Sequence, residues 1–221
     1  MADDVTITSG ANSTPPAGTV IATDDVGSKH YQRVKLDGGA DGVSAPFESD
    51  ASTHAITTIT YVHHEIHAGS AYSIVDVNDQ SINNVWDIQI TTPNTTKWAH
   101  FFFSFDTESE TNWYFYENVT INTPGTAVVA YNANRNSLSA SGLVIKSITN
   151  TTTANANTDT AVAGATQIYH GISGAGKDGG QHNHGHEIIL KQAEDYCIRF
   201  IATVAGYVSY HISWYEHTDK S

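Results

Sequence analysis

From Trp98 to Phe105 the chain reads Trp-Ala-His-Phe-Phe-Phe-Ser-Phe, and every second residue from Ala99 onward is apolar. Side chains of a β-strand alternate between two faces, so Ala99, Phe101, Phe103 and Phe105 predict one fully buried face. The other parity mixes Trp98 and Phe102 with His100 and Ser104, which predicts a half-covered face. Helical periodicity is scarce elsewhere, and β-branched and aromatic residues dominate the apolar positions. The pattern predicts strands at residues 5–8, 19–22, 30–36, 55–66, 72–77, 85–91, 98–105, 113–120, 127–131, 143–147, 166–172, 187–190, 196–204 and 207–214. The last two, joined at Ala205-Gly206, predict a hairpin whose Ile198, Phe200 and Ala202 form a second wall for the same core. Many short strands separated by turn chemistry predict an all-β fold, an antiparallel β-sandwich that is jelly-roll-like.

Residues 1–50 differ from the rest. Ser9 to Gly18 and Asp37 to Gly42 are rich in turn residues and poor in core-forming ones, so this part is expected to be an extended N-terminal arm with short strands. Residues 51–221 are expected to be the sandwich domain. The arm either is a flexible leader or orders by pairing with a neighbouring subunit. Asn150 to Thr160 offers little to bury, and Gly171 to His186 is rich in glycine and histidine, so both are expected to be exposed loops.

Charge narrows the function. Ten Lys plus Arg against 23 Asp plus Glu give a net charge of −13, which argues against a nucleic-acid surface, where affinity comes from basic side chains. No apolar stretch approaches the ~20 residues of a membrane span. The first residues lack the positive and apolar regions of a secretion signal, so a soluble protein made in the cytoplasm is expected. The single cysteine, Cys197, lies in the apolar run Tyr-Cys-Ile-Arg-Phe-Ile and reads as a small buried hydrophobe.

Twelve histidines raise the question of metal. In Tyr61-Val-His-His-Glu-Ile-His67, strand alternation would place His63, Glu65 and His67 on one face as candidate ligands, as in a metal-binding cupin. A cupin-like centre needs another histidine from a distant strand, and none is announced, so a hydrogen-bonded structural cluster near a sheet edge is expected. His182, His184 and His186 could converge on zinc or nickel if extended, but Gly179 and Gly180 favour a solvated loop. No metal or other cofactor is therefore assigned. Glu108 and Glu110 read as turn carboxylates and not as a glycosidase pair. Phosphate-binding loops, nucleophile elbows and zinc-protease motifs do not occur, and no enzyme activity is expected. In Tyr131-Asn-Ala-Asn-Arg-Asn-Ser137, Arg135 is expected to be tied to a carboxylate or to backbone carbonyls, holding a loop or a subunit contact.

Several stretches resemble a broad family of tailed-bacteriophage virion proteins. They are Gly18 to Lys35, His64-Glu-Ile-His-Ala-Gly69, Ile90 to His100, Asn132-Ala-Asn-Arg-Asn-Ser137 and Trp214-Tyr-Glu-His217. The later ones are similar to head decoration, or cement, proteins. That resemblance implies a sandwich or jelly-roll module, often a homotrimer, bound to the major capsid protein on the outer surface of the virion; the charge and hydropathy add the expectation of no nucleic-acid or membrane partner. The Thr/Asn run near 150–160 and the Gly/His run near 174–186 fall outside the family pattern. Tyr31 and Arg33 in the arm, the aromatics Trp98, Trp113 and Tyr116, and Arg135 are the expected interface residues; alternatively the aromatics are core. Two other functions fit an acidic sandwich, namely a tail- or fibre-associated adhesin for host glycans and a cupin-like metal-dependent protein.

Overall fold

A computed structural model describes residues 60–174 and 187–218, together with the backbone of residues 181–186 and of four short strands between residues 5 and 32. The chain divides into two units, residues 1–58 and 59–221. In the first, β1 (Val5–Thr6) pairs with β2 (Val20–Ile21), and β3 (Thr23–Val26) pairs with β4 (Lys29–Gln32), both antiparallel. The turn-rich stretches at 9–18 and 37–42 lie outside the described residues.

The second unit opens with helix α1 (Tyr61–Ala68), where a strand is expected. The local signals explain the difference. Thr60 is the N-cap, its hydroxyl accepting from the His63 N–H, and Gly69 closes the helix in the left-handed region at φ 72°. A Cβ at Gly69 would also lie 2.3 Å from Ser137 Oγ, so both conformation and space require glycine there. His63, Glu65 and His67 therefore follow helical spacing and share no strand face.

The strands that follow are β5 (Ala71–Gln80), β6 (Val85–Thr91), β7 (Lys97–Thr107), β8 (Thr111–Glu117), β9 (Thr120–Ile121), β10 (Thr126–Ala127), β11 (Tyr131–Asn132) and β12 (Val144–Asn150). Helix α2 (Thr153–Asp159) precedes β13 (Thr160–Ala161), β14 (Thr166–Ser173), β15 (Gln181–Leu190), β16 (Asp195–Ala202) and β17 (Gly206–Thr218). Among the described residues they form two antiparallel sheets, ordered β10-β12-β6-β16-β8-β14 and β11-β5-β17-β7-β15, and β13 pairs with β9. The pairing is nested: β5 with β17, β6 with β16, β7 with β15 and β8 with β14. Rolling up one long antiparallel hairpin gives that order, and the result is a jelly-roll sandwich.

The nesting also explains why β16 and β17 are not a hairpin. Strand β16 is flanked on both sides, by β6 and β8, so β17 must cross to the other sheet, between β5 and β7. Residues 203–205 make the step, about 10 Å of extended chain and so about the spacing of stacked sheets.

The core lies between the sheets as the parity of β7 predicts. Ala99, Phe101, Phe103 and Phe105 are buried against Ile198, Phe200 and Ala202 of β16, with Trp86, Trp113 and Phe115 beside them. Phe105 meets Trp113 and Phe200 edge-on, each with centroids 5.1 Å apart, a geometry worth about 0.5–1.5 kcal/mol per pair beyond area burial. Central strand β6 is buried on both faces, because α2 and the chain after β9 cover its outer side. Helix α2 forms where an exposed loop is expected: Thr152 caps it, and Ala156 is fully buried. The backbone at 181–186 is strand, paired with β7, where a loop is expected; Gly179 and Gly180 lie outside the described residues.

Candidate functional site

The half-covered face of β7 is the outer face of the five-stranded sheet. Register sets Trp98, His100 and Phe102 opposite His217, Tyr215 and Ser213 of β17, with Ile189 of β15 opposite His100. The His100 ring stacks on Tyr215 at 4.5 Å and on His217 at 4.3 Å, nearly parallel in both cases. Glu187 accepts a hydrogen bond from the Tyr215 hydroxyl at 3.0 Å and is paired with Nδ1 of His100. His100 Nε2 is buried and has no hydrogen-bond partner among the described residues.

At the end of this ladder the surface is apolar. Trp98 is 37% exposed and Ile189 49%, and with Leu190, Lys191 and Gln192 they line an open recess of about 380 Å³. Lys191 is held by Glu117, which raises the Lys191 pKa, and Gln192 donates to the Thr95 carbonyl. The arrangement is a shallow patch with one large ring, an aliphatic neighbour and an amine at the rim. Such a patch suits contact with another macromolecule, because a buried ring contributes much area at little entropic cost.

The other expected interface residues occupy separate environments. Trp113 lies on β8 in the opposite sheet, only 4% exposed, with Phe103 and Phe105 against its edges. Of the two expectations for the aromatics, Trp113 is core, because the parity of β8 turns it inward. Tyr116 is half-buried on the outer face of the six-stranded sheet, stacked on Tyr114 at 5.7 Å, and burial raises its pKa. Trp98, Trp113 and Tyr116 therefore form no single aromatic face, since β7 and β8 belong to different sheets. Arg135 sits over the Tyr131 ring at 5.4 Å and donates to the Asn132 carbonyl at 3.4 Å. Its loop ties down α1, with Asn132 donating to the Gly69 carbonyl and Asn134 to that of His67. Tyr31 falls in β4, opposite Asp24, and Arg33 lies outside the described residues.

Two polar clusters escape sequence reasoning. Under α2, Arg199 donates from Nε and Nη2 to both oxygens of Asp87 at 2.7 Å, and further to Asn157, Thr160 and Ala156. Burial pushes the Asp87 carboxyl up, and the facing guanidinium draws it partly back. Near the end of β17, buried Glu216 accepts from Ser141, Gly142 and Trp214 at 2.7–3.1 Å. The only sequence signal is a charged residue inside each apolar strand. Both clusters brace loops against the sandwich, and their charged side chains are buried. Cys197, beside the first, is fully buried, and burial pushes its thiol well above the ordinary range, which disfavours the nucleophilic thiolate.

No family model matches this chain, and no similar curated protein or solved structure was found.

Among the described residues, no group of three or more His, Cys, Asp or Glu side chains is placed to hold a metal ion, which removes the His63, Glu65 and His67 triad from consideration. Glu65 is buried and paired with His64, away from the other two imidazoles. Glu108 and Glu110 sit in the turn between β7 and β8, where they accept from the Tyr207 N–H and the Thr203 hydroxyl. Among the described residues no helix is long and apolar enough to cross a membrane.

Proposed function

We propose that this chain is a structural protein of a tailed-bacteriophage particle, a decoration or cement protein that binds the major capsid protein on the outer surface of the head as a homotrimer. The observation that carries this reading is the jelly-roll pairing, an architecture used repeatedly by viral shell proteins. It is joined by the resemblance of Ile90 to His100, Asn132 to Ser137 and Trp214 to His217 to that family. The fold hosts many functions, so the surface must carry the rest. The exposed Trp98 and Ile189 supply a contact patch, and a net charge of −13 suits a position facing solvent and away from DNA.

The mechanism is linkage. A protein that binds only the expanded, assembled lattice adds its binding free energy to that state and none to the precursor, so many equivalent copies multiply a modest contact into particle stability. No reaction centre is needed. Quantifying purified particles by gel densitometry tests the proposal: copies comparable in number to the major capsid protein are expected, and absence from finished particles overturns it. One observation favours a second reading. Trp98 beside Lys191 and Gln192 could stack on a sugar ring while polar groups meet its hydroxyls, as in a tail- or fibre-associated adhesin. That reading expects few copies per particle and binding on a glycan array.

A further inference from the structure

The exposed face of α1 carries a feature that the decoration role does not use. His63 and His67 are four residues apart, so they sit one turn above the other on the same helix face. Their rings stack with centroids 4.7 Å apart, and their Nε2 atoms are 2.8 Å from each other. The helix is anchored before any ligand arrives: Gly69 caps its C-terminus, Glu65 is buried beneath it, and Asn134 donates to the His67 carbonyl. Both imidazoles are exposed, so a metal ion can reach them from solvent.

We propose that His63 and His67 form a two-nitrogen site for a late divalent transition metal, Cu(II) or Ni(II) in preference to Zn(II). The 2.8 Å between the two nitrogens is the length of the hydrogen bond that joins them, and it is within the span one metal ion bridges, since two imidazoles at about 2.0–2.1 Å from a metal lie about 2.8–3.4 Å apart between a right angle and a tetrahedral one. Two imidazoles completed by water make a tetragonal N,O set, the coordination typical of Cu(II) and Ni(II), and Cu(II) binds such donors more tightly than Zn(II). Water would complete the coordination, as Glu65 faces His64 instead. In the metal-free protein one Nε2–H donates to the other Nε2. On binding, that proton moves to Nδ1 of its own ring through solvent, both Nε2 lone pairs become ligands, and no net proton is released.

The test uses the full-length protein and Cu(II) or Ni(II) alone. Titration calorimetry, with electron paramagnetic resonance of the Cu(II) form, should give one tight site with two imidazole nitrogens. His63→Gln and His67→Gln should each weaken that site about 100-fold or more, because each removes the chelate. His64→Gln, which alters a neighbour pointing elsewhere, should leave it unchanged. The histidines at 182, 184 and 186 provide the control. If their triple Gln variant abolishes the tight site while His63→Gln and His67→Gln retain it, the assignment is overturned, as it is if the unaltered protein binds neither metal tightly. Both replaced imidazoles are exposed, so matching circular dichroism and melting of the metal-free variants will separate loss of ligand from loss of fold.

Discussion

The Asp87–Arg199 pair gives the sharpest prediction, because its geometry fixes how the energy divides. Asp87 is fully buried and Arg199 2% exposed, and two charge-assisted bonds of 2.7 Å join them. Asp87→Ala leaves a buried guanidinium with two directed N–H groups unpaired. At about 1.5–3 kcal/mol per bond to a charged group, two bonds come to about 3–6 kcal/mol, and the usual penalty for breaking a buried pair from one side narrows the expected cost to about 3–5 kcal/mol. Arg199→Met leaves a buried carboxylate and also uncovers Asn157 and the carbonyls of Ala156 and Thr160, so it should cost at least as much. The double variant buries neither charge and should cost no more than Arg199→Met alone. The coupling energy should then be at least the Asp87→Ala cost, about 3–5 kcal/mol. Urea unfolding followed by tryptophan fluorescence is the assay, since all four tryptophans, Trp86, Trp98, Trp113 and Trp214, lie in the second unit and report on the sandwich. Single costs that add to within about 0.5 kcal/mol, or an Asp87→Ala cost below about 1 kcal/mol, would refute the reasoning.

Glu216→Gln should destabilise by about 1–2 kcal/mol: its amide oxygen can still accept from Ser141, Gly142 and Trp214 as Oε1 does, but the charge is lost and the amide NH2 meets the Gly142 N–H that Oε2 accepts; an unchanged urea midpoint would count against that network. Trp98→Ala should leave the melting temperature nearly unchanged and weaken attachment to particles in a co-sedimentation assay by about 10-fold or more, as loss of a central interface ring does. Trp113→Ala, by contrast, should cost about 3–5 kcal/mol of stability, and the contact-patch reading fails if the two variants behave alike. Alkaline pH should unfold the protein. Burial raises Tyr196, Tyr210 and Cys197 above their ordinary values of 10.0, 10.0 and 9.0, so the unfolded chain releases protons that the fold retains. Their effect is absent below those values, and stability then falls by about 1.4 kcal/mol per pH unit for each group as pH rises. Urea midpoints between pH 8 and about 11 check this, and a flat profile, or one unaltered by Tyr196→Phe with Tyr210→Phe, would reject it.

Residue order alone was enough for the sandwich and for its main wall. The period-2 alternation of Ala99 to Phe105 has one physical solution, a strand buried on one face, and the partner wall of Ile198, Phe200 and Ala202 follows from the same rule. Burial of Cys197 was legible for a similar reason, as it sits within an apolar run. The α1 caps, Thr60 and Gly69, were also present in the residue order, but a high density of β-branched residues just upstream masks them. What only the tertiary structure decided is which strands meet and which polar groups are drawn inside. Asp87 and Gln89 alternate with Trp86, Ile88 and Ile90 as a solvent-facing parity would, yet α2 and the chain after β9 cover them. Residues 112 positions apart in the chain, Asp87 and Arg199, become a pair only because β6 lies beside β16. Trp98 and Trp113 part company in the same way, one facing outward and the other into the core on opposite sheets. Alternation specifies a face for each strand, but a face acquires its neighbours only when the nested pairing closes, and pairing energy depends on contacts far apart in the sequence.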